Sequence, residues 1–109
     1  MSLKEVFMNK NEALNFVYEN ILGEDSILIQ LRRGKGLNEN RFNELITAME
    51  FLIVEYKNLD FVPKKLALSF VNISNYFYFN EDKYTVDEQN YIEDAVQKIS
   101  QLANELFDC

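Results

Sequence analysis

Val62-Pro63-Lys64-Lys65-Leu66, Tyr76-Phe77-Tyr78-Phe79 and Thr85-x-x-Glu88 punctuate residues 62–106, the stretch that decides the fold. Proline suits a first helical position, because its missing N–H would have no helical acceptor there anyway. Pro63 therefore predicts a helix start, and Leu66, Phe70, Ile73 and Phe77 follow on one face at helical spacing. Asn80-Glu81-Asp82-Lys83 reads as a turn. Thr85 and Glu88 can then satisfy each other's free backbone donors as a capping box, while Asp87 and Glu88 complement the positive end of the helix dipole. Ile92, Ala95, Val96, Ile99, Leu102, Ala103 and Leu106 continue the pattern, predicting a last helix over residues 86–106.

Upstream, the same signals recur. Ser2-x-x-Glu5 and Asn9-x-x-Glu12 resemble capping boxes, and Leu14, Val17, Tyr18, Ile21 and Leu22 form an apolar stripe. Gly23 is placed to end that helix in a left-handed conformation. Asp25 or Ser26 can cap a short piece carrying Ile27, Leu28 and Leu31, before Gly34 and Gly36 break the chain. Asn38 can cap the next helix, with Leu37 and Phe42 at hydrophobic-staple positions; Leu45, Ile46, Met49, Leu52, Ile53 and Tyr56 extend it. Residues 58–62 form a loop. No repeat or linker divides the 109 residues, so one domain is expected. Short connections between long amphipathic helices predict an all-α, antiparallel four-helix bundle with a broken or extended first segment.

Composition narrows the class of function. The net charge is −7, unevenly spread. Residues 66–109 hold Lys83 and Lys98 against eight acids, whereas residues 1–65 are nearly balanced. An acidic half repels phosphate backbones, so nucleic acid is not an expected partner. It either favours a basic partner or keeps the chain dispersed. There is no apolar run of membrane-spanning length, and Leu3-Lys4-Glu5-Val6-Phe7-Met8 is too short and too charged for a signal peptide. Cys109, the sole cysteine, needs no oxidising compartment, so the cytoplasm is expected.

An enzyme is not expected either. The chain has no histidine, which removes the commonest general base and most zinc sites; neither cofactor nor metal is expected. Asp87/Glu88 and Glu93/Asp94 are adjacent pairs, and neighbours on a helix diverge by about 100°, so neither pair should converge on one ligand. Arg32-Arg33-Gly34-Lys35-Gly36 lacks phosphate-loop spacing; it reads as a basic loop joining two helices, or as a contact for anionic head groups or an acidic patch.

Four consecutive aromatics cannot all face one core, because a helix turns about 3.6 residues per turn. Tyr76, Tyr78 and Phe79 are left over once Phe77 is buried, and Tyr84 and Tyr91 lie just across the turn. Two readings stay open: these rings lid the end of the bundle, or they form a partner surface. On the second reading the contact residues are Tyr76, Tyr78, Phe79, Tyr84, Glu88 and Tyr91.

From Phe42 to Leu102 the chain resembles the immunity proteins of pediocin-like (class IIa) bacteriocins. The likeness is carried by Glu55-Tyr56-Lys57, Val62-Pro63-Lys64-x-Leu66, Asn75-Tyr76-Phe77-Tyr78-Phe79 and Tyr84-Thr85-x-x-Glu88. The resemblance implies a cytoplasmic four-helix bundle, in part membrane-associated, that protects a Gram-positive cell from a pore-forming peptide. It further implies action at the mannose permease that serves as bacteriocin receptor, or at its bacteriocin-bound form, with recognition in the C-terminal half. Members of that family are often basic, whereas this chain is acidic. The competing reading is an acidic antitoxin or inhibitor that caps a basic nuclease. The protein is expected to be monomeric.

Overall fold

The computed structural model describes residues 9–70 and 81–107. Five α-helices occur among them: α1 (Lys10–Ile21), α2 (Ile27–Arg32), α3 (Glu39–Tyr56), α4 (Lys64–Phe70) and α5 (Val86–Phe107). A 3₁₀ turn, Glu81–Lys83, precedes α5, and no strand is present among the described residues. The chain is all-helical there. Helix α1 packs on α3 and α4, α3 packs on α5, and α4 touches α5. Buried side chains from all five helices form one core.

Local chemistry sets most boundaries. The Asn9 side chain accepts from the Glu12 N–H at 2.8 Å, while Glu12 accepts from the Asn9 N–H at 3.3 Å. Ser26, not Asp25, caps α2: its buried hydroxyl accepts from the Ile29 N–H at 3.2 Å. Asn38 caps α3 through the Arg41 N–H at 3.1 Å, and Leu37 and Phe42 both pack against the core. The carbonyl of Pro63 accepts from the N–H groups of Leu66 and Ala67, so α4 begins one residue after the proline.

Thr85 and Glu88 form the reciprocal box, with bonds of 2.9 and 3.1 Å. Losing such a cap costs about 1 kcal/mol. Thr85→Ala is therefore expected to lower the melting midpoint by roughly 4–8 °C for a domain of this size. An unchanged midpoint in a thermal melt would mean that the box contributes nothing to the start of α5.

Two expectations about α1 are corrected. Its buried face is Ala13, Val17, Asn20 and Ile21; Leu14 and Tyr18 are half-buried and Leu22 is 39% exposed. Leu14 and Tyr18 still pack against the core, and the buried face is shifted because α1 lies against both α3 and α4. Nor is Gly23 left-handed: among the described glycines, positive φ occurs at Gly34 and Gly36. Glycine is required at 23 because a Cβ there would lie 2.5 Å from the Glu19 carbonyl oxygen.

One buried polar link was not anticipated. Asn20 is 2% exposed; its amide donates to the Phe16 carbonyl at 2.8 Å, and its oxygen accepts from Arg41 Nε at 2.8 Å. Arg41 also approaches Asp25 at 3.8 Å. Two lysines also meet rings across helices: Lys65 Nζ of α4 sits 4.6 Å from the Tyr18 ring centre on α1, and Lys10 Nζ of α1 sits 5.4 Å from that of Tyr56 on α3. Burial, then the neighbouring Tyr56, raises the Tyr18 phenol above its ordinary pKa.

The long helix α5 follows the expected pattern. Ile92, Ala95, Ile99, Leu102, Ala103 and Leu106 are buried, and Phe107 meets Phe70 with ring centres 6.0 Å apart. Ile73 and Phe77, expected to extend the face of Leu66 and Phe70, lie outside the described residues. No described helix is long and apolar enough to cross a membrane.

Candidate functional site

The loop after α2 and the start of α5 are joined by one side chain. Tyr84 is 8% exposed, and its hydroxyl donates to the Leu31 carbonyl at 2.7 Å and accepts from the Gly36 N–H at 3.1 Å. The loop can take this path because Gly34 and Gly36 have φ of +76° and +82°, values that side chains disfavour. At Gly34 an added Cβ would also lie 2.7 Å from Lys83 Cδ, so the lysine side chain would have to shift. The basic segment 32–36, read as a loop joining two helices, is thus adjacent to Tyr84.

Beside this junction lies a groove of about 360 Å³, lined by Gly36 and Leu37 on one wall and by Tyr84, Asp87, Glu88, Tyr91 and Ile92 on the other. Asp87 and Glu88 both line it. The groove wraps the first turn of α5, so residues about 100° apart line one concavity. Tyr91 is 48% exposed, and its hydroxyl donates to Glu39 Oε1 at 2.6 Å. That hydrogen bond, with some desolvation and the charge of Glu39, holds the Tyr91 phenol above its ordinary pKa. Its proton stays in place at neutral pH, and the ring bridges α3 and α5.

Of the six expected contact residues, the structure brings three together: Tyr84, Glu88 and Tyr91 all border the groove. Tyr84 is corrected from an exposed anchor to a buried structural tie. Its hydroxyl reaches carbonyl and amide groups about 50 residues upstream, a partner that local spacing cannot reveal. Glu88 is exposed, with one carboxylate oxygen engaged in the cap of α5. Tyr76, Tyr78 and Phe79 lie outside the described residues. The sequence did not single out Leu37 and Ile92 as groove lining, nor Glu39 as the partner of Tyr91. The two apolar ones were assigned to packing, and Glu39 carries no local signal beyond a favourable charge at a helix start.

Two tyrosine rings, two exposed carboxylates and the apolar side chains of Leu37 and Ile92 thus share one groove. No group of three metal-ligating side chains is positioned to hold an ion among the described residues. No protein-family model, curated protein or solved structure matches this chain.

Proposed function

We propose that this chain is a non-enzymatic immunity protein of the pediocin-like bacteriocin type. On this reading it acts from the cytoplasm on the mannose permease, or on the permease with bacteriocin bound, as a monomer without cofactor. Helices α1, α3, α4 and α5 would form its antiparallel bundle, with α2 as the interruption after the first helix. The observation that carries the reading is where the resembling motifs fall. Pro63 precedes a helix start, Thr85 and Glu88 cap α5, and Tyr84 beside that cap borders an aromatic, acidic groove.

Expression inside a sensitive Gram-positive strain is expected to raise resistance to at least one pediocin-like bacteriocin, while protein added outside does nothing. Tyr91→Ala should weaken protection and keep the helical circular-dichroism signal, since Tyr91 is half-exposed. An aromatic contact of this kind carries about 2 kcal/mol, roughly thirtyfold in affinity. Equal killing of expressing and control cells across a broad bacteriocin panel would defeat the proposal. The second reading, an inhibitor of a basic nuclease, draws on Asp87 and Glu88 at the same groove; a basic nuclease encoded next door would favour it.

A further inference from the structure

The groove between the Gly36 loop and the first turns of α5 is one-sided in charge. Asp87 and Glu88 are among its lining residues, and no lysine or arginine is. Both carboxylates are exposed, and neither has an ion-pair partner among the described residues. One oxygen of Glu88 accepts from the Thr85 N–H, whereas the Asp87 carboxylate has no hydrogen bond among the described residues. A third carboxylate, that of Glu39, is held on the Tyr91 hydroxyl. The cations nearest in sequence, Lys35 and Lys83, do not line the groove, and the stem of Lys83 lies over Gly34.

The remaining walls are aromatic and apolar. The Tyr91 ring is tethered through its hydroxyl to Glu39, so a contact with its face needs little further ordering. An occupant that suits these walls has a flat cationic head on an apolar stem. A guanidinium stacks on ring faces and pairs with carboxylates through two parallel hydrogen bonds, while its methylenes pack against side chains such as Leu37 and Ile92. An ammonium would bring the charge without the stacking plane or the fork. An anionic group would face two carboxylates, and a neutral apolar one would strip water from Asp87 with nothing in exchange. At about 360 Å³ the groove is at the small end of the usual range for ligand sites, roughly 300–1,000 Å³. It leaves Tyr91 half-exposed, which suits one side chain presented on a partner's surface, not an enclosed small molecule.

We propose that this groove receives an arginine side chain from a partner protein, its guanidinium on Asp87 and Glu88 and against the Tyr91 ring. The assignment rests on the groove being the partner surface, as in the reading above, and adds what that surface selects. Recognition then depends on a single cationic side chain of the partner, and salt weakens it.

The test is titration of the purified full chain with the peptide acetyl-Leu-Arg-Leu-amide, followed in proton–nitrogen correlation spectra. The same peptide with citrulline in place of arginine has the same shape without the charge. The arginine peptide is expected to shift the amides of Gly36, Leu37, Asp87, Glu88 and Tyr91 saturably, and the citrulline peptide should bind about tenfold more weakly or not at all. Asp87→Asn/Glu88→Gln should weaken arginine binding by a similar factor. Glutamine still serves a capping box, so this variant should keep the parent's circular dichroism. Glu93→Gln/Asp94→Asn removes the same charge from α5 outside the groove and should bind as the parent does. Equal binding of the two peptides, shifts confined to other residues, no shifts at all, or an unaffected Asp87→Asn/Glu88→Gln variant would overturn the proposal. No bacteriocin or permease is present in this assay, so its outcome is separate from that of the protection experiment. Arginine binding in a chain that protects no cell would defeat immunity and leave this assignment standing. Should Tyr91→Ala abolish protection although the arginine peptide does not bind, the groove meets its partner through another chemistry and the arginine assignment is wrong.

Discussion

A chain carrying Leu102→Asp is expected to lose its helical circular-dichroism signal at room temperature, whereas Gln101→Asp should melt within a few degrees of the parent. The two positions are neighbours on α5 but face opposite environments. Leu102 is 4% exposed within the core, while Gln101 is exposed. Removing a buried leucine's bulk costs roughly 2–5 kcal/mol. Placing a carboxylate in the same space costs several more, whether it remains charged or is forced to hold its proton. A domain of this size has only about 5–15 kcal/mol of net stability, so the sum should exceed or exhaust it. Cooperative melting of Leu102→Asp near the parent midpoint would mean that α5 presents a different face to α3.

The second large effect is expected at Tyr84. Truncation to alanine should lower stability by about 3–5 kcal/mol, the usual cost of deleting a buried aromatic. Tyr84→Phe isolates the hydroxyl, which serves the Leu31 carbonyl and the Gly36 N–H at once. Leaving buried polar groups without that partner should cost about 1–3 kcal/mol. Urea denaturation of the three proteins separates the two contributions. If Tyr84→Phe unfolds at the parent midpoint, the hydroxyl does not tie the loop to α5. Such a result would also remove the reason for the positive φ at Gly36, which otherwise has open space around it.

How far the sequence could be read depended on how far apart the interacting residues are. Helix α5 was legible almost to its ends because its cap and its apolar period are local signals. The caps of α1 and α3, Asn9 and Asn38, were legible for the same reason. The rotation of α1 was not, since Leu14, Tyr18 and Leu22 are as apolar as the residues that are buried; the neighbouring helices select the face. Gly23 invited a conformational explanation, yet a backbone oxygen of the preceding turn excludes a side chain there. At the groove, Tyr91 and Glu88 could be nominated from leftover aromatics and charge. Their neighbours Gly36 and Leu37 lie about 50 residues away, and only the packed chain puts them on the facing wall.

The Asn20–Arg41 contact has a consequence for which packing arrangements the chain can choose among. Apolar stripes tolerate slippage: moving α1 along α3 by one turn would still set hydrocarbon against hydrocarbon. A buried amide is less forgiving. Slid by one turn, α1 would present Phe16 where Asn20 now meets the Arg41 side chain. That leaves the guanidinium without an acceptor at that point, a desolvation penalty that the observed alignment avoids. Asn20 therefore acts as an indexing pin: its energetic weight falls on the misaligned competitors, widening the gap between one arrangement and the nearest wrong one.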